Sequence, residues 1–270
     1  MAGADLFRTR DHVADFDGYV ADYQARSHHA RASLRHSLNL AYGEEEGARV
    51  DLFFPEDAAP AAPIHLFIHG GYWRMFDKSD FSFVAETVCA AGGIAAIMNY
   101  DLMPRVRMDA VVRQVRQCAN WLVERASAFG GDPGKFTVSG HSAGGHLSYF
   151  LLTEDSPVRP SDVLALSGIY DLSPLRQSFL QPDLKFTDDE ITQFSPLNLA
   201  SDGSAAMTLM VGEAETSPFH QQATALRQRM QEEGCRASHQ VVEGANHMSI
   251  VADLGRADTI PGRYLRGMIA

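Results

Sequence analysis

Residues 135–150 read KFTVSGHSAGGHLSYF. A β-branched apolar run, 135–139, enters Gly140-His141-Ser142-Ala143-Gly144, and a helical pattern leaves over 142–152. Gly-x-Ser-x-Gly between a strand and a helix is a sharp turn. It holds the serine in a strained backbone conformation with its Oγ clear of the sheet edge. Side chains two positions to either side would collide, which accounts for Gly140 and Gly144. The pattern predicts a nucleophilic Ser142 rather than an ordinary helix cap.

Outward from this turn, strand-like runs occupy 49–54, 64–68, 94–100, 163–167, 207–211 and 238–242. Helical patterns separate most of them. The clearest spans 109–129, with Val111, Val112, Val115, Ala119, Leu122, Val123 and Ala126 on one face and Gly130-Gly131 as the stop. Another spans 218–233 and stops at Gly234. From residue 64 onward strand and helix alternate, which requires parallel strands joined by crossover helices. The expected architecture is α/β: a mostly parallel central sheet covered by helices on both faces. The chain reads as one domain over 1–270. Residues 1–36 form an N-terminal helical extension, in which Phe16, Tyr19 and Tyr23 lie at helical spacing. Residues 56–63 read as a surface loop. Residues 171–200 carry Pro174, Pro182 and Pro196 with no clean period, and read either as a lid-like insertion or as loop filler.

A serine needs a base, and the base needs an acid to orient it. His247 lies on the loop just past the last strand, where a base belongs. His239 falls inside that strand and His220 within a helix. The acid belongs after the strand 207–211, and Glu215 sits far enough into that loop to turn back toward the histidine. Glu213 is too close to the strand end and reads as a solvated residue. Asp171, beyond the strand 163–167, is the alternative acid, its other role being to brace the irregular stretch. After the strand 64–68 comes His69-Gly70-Gly71-Tyr72-Trp73. Paired glycines let backbone approach a substrate, so the N–H groups of Gly71, Tyr72 and Ala143 are the expected oxyanion hole. Tyr72 and Trp73 are the expected substrate-binding walls.

The composition narrows the partners. The 270 residues include 34 Asp plus Glu against 23 Lys plus Arg, a formal net charge of −11, which disfavours nucleic acid. Apolar runs are too short for a membrane span. The start lacks a secretory h-region, and Cys89, Cys118 and Cys235 are odd in number and far apart. A cytoplasmic protein acting on a small-molecule substrate is expected, and a homodimer is compatible with it. His141 and His146 have no metal-pair spacing, so neither metal nor organic cofactor is expected.

The segments His69–Trp73, GHSAGG at 140–145, SGIYDL at 167–172 and VGEAETSPFHQQ at 211–222 resemble the kynurenine formamidase (arylformamidase) branch of the α/β-hydrolase superfamily. That branch is close to the hormone-sensitive-lipase-like esterases, which usually carry a third glycine where this chain has Tyr72. The resemblance runs from about residue 40 to the end. It implies the α/β-hydrolase fold, with the triad on Ser142, Glu215 and His247, although the family acid is usually aspartate. It also implies hydrolysis of an N-formyl aryl amide of the N-formyl-L-kynurenine type. The alternative is a carboxylesterase acting on small acyl esters with the same triad.

Overall fold

In a computed structural model, which describes residues 4–57 and 61–270, eight strands form one sheet. They are β1 (Arg35–Ala41), β2 (Arg49–Phe54), β3 (Ala62–Ile68), β4 (Ile94–Met98), β5 (Gly131–His141), β6 (Asp162–Leu166), β7 (Ala206–Gly212) and β8 (Ala237–Val242). The spatial order is β1-β2-β4-β3-β5-β6-β7-β8. Pairing is parallel from β4 through β8, and β1 and β2 run antiparallel at one edge. The expected mostly parallel sheet is present, and the fold is that of the α/β-hydrolases. Residues 58–60, inside the expected surface loop at 56–63, lie outside the described residues.

The helices are α1 (Phe16–Ser33), α2 (Val84–Ala90), α3 (Met108–Arg125), α4 (Ala143–Ser148), α5 (Gln181–Leu184), α6 (Asp188–Phe194), α7 (Ser217–Glu232), α8 (Ser249–Ala252) and α9 (Ile260–Ile269). They cover both faces of the sheet, and β3 shows why. Ile64, Leu66 and Ile68 enter one core cluster with the apolar faces of α3 and α7. Phe67, on the alternate position, enters the other with residues of α1, α2, α8 and α9. Side chains on a strand alternate in direction, so a strand buried on both faces is apolar nearly throughout; in β3 the exception, His65, is bonded to Thr137 and Ser139.

Two details differ from the sequence pattern. The run 94–100 ends as a strand at Met98: the Asn99 side-chain oxygen accepts from the Lys78 N–H and its carbonyl from the Tyr42 hydroxyl. β1 has no strong apolar signal, since it is an edge strand whose residues are exposed or half-buried. Residues 171–200 fold as short helical turns, with Leu172, Leu175, Leu180, Leu184 and Phe186 buried in the larger core. Arg107 on the α3 side pairs with Glu190 of α6.

The register sets the site. Ile68 of β3 stands opposite Gly140 of β5, His141 opposite Leu166, Leu166 opposite Met210, and Gly212 opposite Val242. Five parallel strands therefore end together. The loops after them, bearing His69–Trp73, Ser142, Ser167, Glu215 and His247, gather at one edge, where ligand crevices of parallel sheets form.

Candidate active site

Ser142 occupies φ 54°, ψ −116°, a conformation L-residues rarely adopt. The turn is enforced by close packing. A Cβ at Gly144 would stand 1.9 Å from the Ile68 carbonyl oxygen, and one at Gly140 would stand 2.2 Å from that of Gly144. The Ser142 N–H donates to the Leu166 carbonyl at 2.8 Å, which ties the turn to β6.

Glu215 and His247 meet. His247 Nδ1 donates to Glu215 Oε2 at 2.6 Å, and both side chains are almost fully buried. The second carboxylate oxygen, Oε1, accepts from Ser167 Oγ at 2.5 Å and from the Gly212 N–H at 2.7 Å. With its proton on Nδ1, the ring leaves Nε2 as a lone-pair acceptor. The His247 ring lies between His141 and Phe219, with centroids 4.7 Å and 4.6 Å away. His141 Nε2 donates to the His247 carbonyl at 2.8 Å. Burial, reinforced by the neighbouring His247, holds the His141 ring well below the ordinary imidazole pKa, so it stays neutral.

The other two candidate acids lie apart from this pair. Glu213 accepts from the Gly244 N–H at 2.9 Å on the surface. Asp171 accepts from the Ser173 N–H at 2.8 Å and closes a local turn.

The loop after β3 is held in an unusual form. Gly71, Tyr72 and Trp73 have successive positive φ values of 108°, 51° and 57°. Two non-glycine residues in the left-handed region cost of order 1–2 kcal/mol each, so neighbouring contacts must hold them. The Tyr72 hydroxyl donates to the Phe7 carbonyl, and Met103 N donates to the Trp73 carbonyl at 2.8 Å. Only glycine fits at 71, where a Cβ would stand 2.3 Å from the Met75 carbonyl oxygen. Behind the loop, the His69 ring stacks on Tyr100 at 4.4 Å, and the Tyr100 hydroxyl donates to the His69 carbonyl at 3.0 Å. Among the described residues, the N–H groups of Gly71, Tyr72 and Ala143 donate to no backbone carbonyl.

Ser142, His247, His141, Gly71 and Tyr72 line one cavity of about 370 Å³. Its remaining wall is largely apolar, with Phe16, Tyr23, Met75, Phe76, Phe81, Phe179 and Met248. Trp73 corrects the sequence reading. It does not line the cavity but is fully buried behind the loop, where its indole Nε1 donates to His146 Nδ1 at 3.2 Å. The positive φ at Trp73 turns this large ring inward, where a buried indole needs an acceptor. Phe179, from the irregular stretch, stands edge-on to Tyr72 at 5.7 Å and lines the cavity with it.

Sequence reasoning missed several contributors. Gly70, read from the sequence only as one of a glycine pair, abuts Ser142: a Cβ there would lie 3.1 Å from the Ser142 Cβ. Ser167 holds the carboxylate, and its own φ of 52° was the sort of feature only a structure displays. Arg8, Thr9, Arg10 and Asp11 also line the cavity, although the N-terminal stretch carried no motif.

A family model described as BD-FAE matches residues 50–230. The kynurenine formamidase of Danio rerio is 27% identical over 262 residues, covering 93% of this chain and 88% of its own. That of Drosophila melanogaster is 25% identical, covering 85% of this chain and 80% of its own. Among solved structures, a candidate thioesterase from Silicibacter sp. TM1040 superposes with a TM-score of 0.86 at 29% identity, covering 98% of this chain and 97% of its own. A thermostable carboxylesterase from a metagenomic library gives a TM-score of 0.73 at 17% identity over 95% and 98%, a likeness of fold.

Proposed function

The chain belongs to the BD-FAE family and is a hydrolase of the α/β-hydrolase fold, and from that premise we propose that it cleaves an N-formyl aryl amide of the N-formyl-L-kynurenine type. The observation that carries the reading is the 2.6 Å hydrogen bond from His247 to Glu215, with Ser142 and His247 on the wall of one cavity.

In the proposed reaction His247 Nε2 takes the Ser142 hydroxyl proton as Oγ attacks the formyl carbon. The carbonyl electron pair moves onto oxygen, which the N–H groups of Gly71, Tyr72 and Ala143 receive. Collapse breaks the C–N bond, and His247 returns its proton to the departing aryl amine. Water, deprotonated by the same ring, then attacks the formyl-serine and releases formate and the free Ser142 hydroxyl. The Glu215 carboxylate stabilises the imidazolium at each proton transfer. The apolar wall with Tyr72 and Phe179 suits an aromatic leaving group. No step calls on a metal or an organic cofactor.

A second reading, hydrolysis of small acyl esters by the same residues, draws support from the candidate thioesterase at 29% identity. The discriminating measurement is kcat/KM for N-formylkynurenine beside p-nitrophenyl esters of increasing acyl length, in wild type and Ser142→Ala. The expected result is a preference for the formamide and a loss of several orders of magnitude in kcat with both substrates in the variant. Turnover of the esters alone would replace the first reading with the second. A folded Ser142→Ala keeping more than about a tenth of the rate would remove both.

A further inference from the structure

Residues 5–11 precede α1 and form no strand, yet they bond to three loops of the candidate site. The Asp5 carboxylate accepts from the Phe179 N–H at 2.5 Å. The Leu6 carbonyl accepts from Thr216 Oγ1 at 2.6 Å, one residue beyond Glu215. The Phe7 carbonyl accepts from the Tyr72 hydroxyl, beside the expected oxyanion hole. The Phe7 ring is buried and packs edge-on against Phe219, which in turn lies against His247. These three residues anchor the segment. The next four, Arg8 to Asp11, line the cavity that holds Ser142, and the Arg8 guanidinium lies 4.9 Å over the Phe179 ring.

We infer that residues 5–11 are a strap that forms the outer wall of the substrate cavity and limits the length of substrate the enzyme accepts. The inference rests on Ser142 and His247 being the reacting pair. Its physical basis is the division of labour along the segment. Anchors at 5–7 bind the three loops that carry Tyr72, Phe179 and Glu215, and the wall at 8–11 is held in place by those anchors. Without the wall, one side of a cavity of about 370 Å³ opens to solvent. A longer chain can then extend outward, and apolar contact with the remaining aromatic wall favours it. Each methylene buried is worth about 0.8 kcal/mol, or about fourfold in kcat/KM.

Two variants test this with two ester series, one lengthening the acyl group of p-nitrophenyl esters and one lengthening the alcohol of acetates. Asp5→Ala/Phe7→Ala removes the Asp5 carboxylate and the buried Phe7 ring and so loosens the anchors, and Arg8→Ala/Arg10→Ala shaves the wall while leaving the anchors in place. Wild type should decline with length in at least one series. In both variants the ratio of kcat/KM for a six-carbon to a two-carbon arm should rise at least about tenfold, the gain expected from two or more methylenes admitted. A ratio is the right readout, because loss of folded enzyme lowers every substrate equally and cancels. Amide hydrogen exchange supplies a second readout. The anchor variant should speed exchange together at 72–76, 179–180 and 215–217, and the wall variant should not. Ratios at wild-type values in both variants overturn the strap, as does a wild type indifferent to length in both series. Absence of formamide turnover with ester turnover intact defeats only the formamide reading. Absence of all turnover defeats the assignment of Ser142 and the strap with it.

Discussion

Replacing Glu215 by glutamine changes one atom and should remove most of the catalysis, for a reason set by the hydrogen bonds around the carboxylate. Oε1 accepts from the Gly212 N–H at 2.7 Å and from Ser167 Oγ at 2.5 Å, and the backbone donor cannot reverse its role. The amide oxygen of a glutamine must therefore stay on that side. Its NH2 then faces His247 Nδ1 across 2.6 Å, where the wild-type oxygen accepted a proton. Two donors cannot share that gap, so the imidazole must take the other tautomer, with its proton on Nε2. That ring cannot accept the Ser142 proton, and an amide cannot stabilise the imidazolium. The comparable loss in serine hydrolases is up to about 10⁴ in kcat. Glu215→Asp tests the same geometry differently. It withdraws the carboxylate by roughly 1.5 Å, which stretches the contact to His247 beyond hydrogen-bond range. The loop cannot follow, because Glu213 N, Ala214 N and Glu215 N are bonded to the Val242, Ala245 and Gly212 carbonyls. Losing a charge-assisted bond worth about 1.5–3 kcal/mol slows kcat by about ten- to 150-fold. The assay is steady-state kinetics with folding checked by circular dichroism, and KM should change much less than kcat. Near-wild-type kcat in Glu215→Gln, with a collapse in Asp171→Asn, would refute the reasoning and move the acid to the earlier loop.

Trp73→Phe deprives buried His146 Nδ1 of its donor and should cost about 1–3 kcal/mol in urea unfolding, while the relative kcat/KM between substrates stays put; a changed substrate preference would return Trp73 to the cavity wall. Gly144→Ala places a methyl on the Ile68 carbonyl and should lower stability by about 3 kcal/mol or more or prevent folding, whereas Gly92→Ala, with φ 85° and open space, should cost only about 1 kcal/mol in thermal unfolding. Burial pushes the His65 ring down to about 3 and the His146 ring to about 4. Both are neutral in the fold, while the unfolded chain protonates them near 6.5. Their contribution is therefore intact above about pH 6.5 and is lost as pH falls toward the folded values, at about 1.4 kcal/mol per pH unit for each ring. Denaturant midpoints between pH 6.5 and 4 should show that slope, and His65→Gln should remove one ring's share; an unchanged slope in the variant would exclude His65 as its source.

Much of this protein is written locally in its chain. The strand–turn–helix at 135–150 is a short-range event at its centre, because a Cβ at Gly140 would stand 2.2 Å from the carbonyl oxygen of Gly144, four residues on. The alternation of strand and helix from residue 64 is a matter of period, and it implies parallel strands whose ends share an edge. The order of Ser142, Glu215 and His247 along the chain could be read against that edge before any distance was known. Tertiary structure decided what depends on residues far apart in sequence. Whether Trp73 faced the cavity or the core turned on its meeting His146, 73 residues away. Which carboxylate reached His247 turned on Ser167 and Gly212 gripping the far oxygen of Glu215. The strap at 5–11 has no period, no motif and little apolar content. Its place comes from single hydrogen bonds to Tyr72, Phe179 and Thr216, across 65 to 210 residues. Periodicity and strained turns are properties of a few neighbouring residues and leave a pattern in the sequence. A contact between distant segments needs only one donor and one acceptor, and almost any residue supplies those through its backbone.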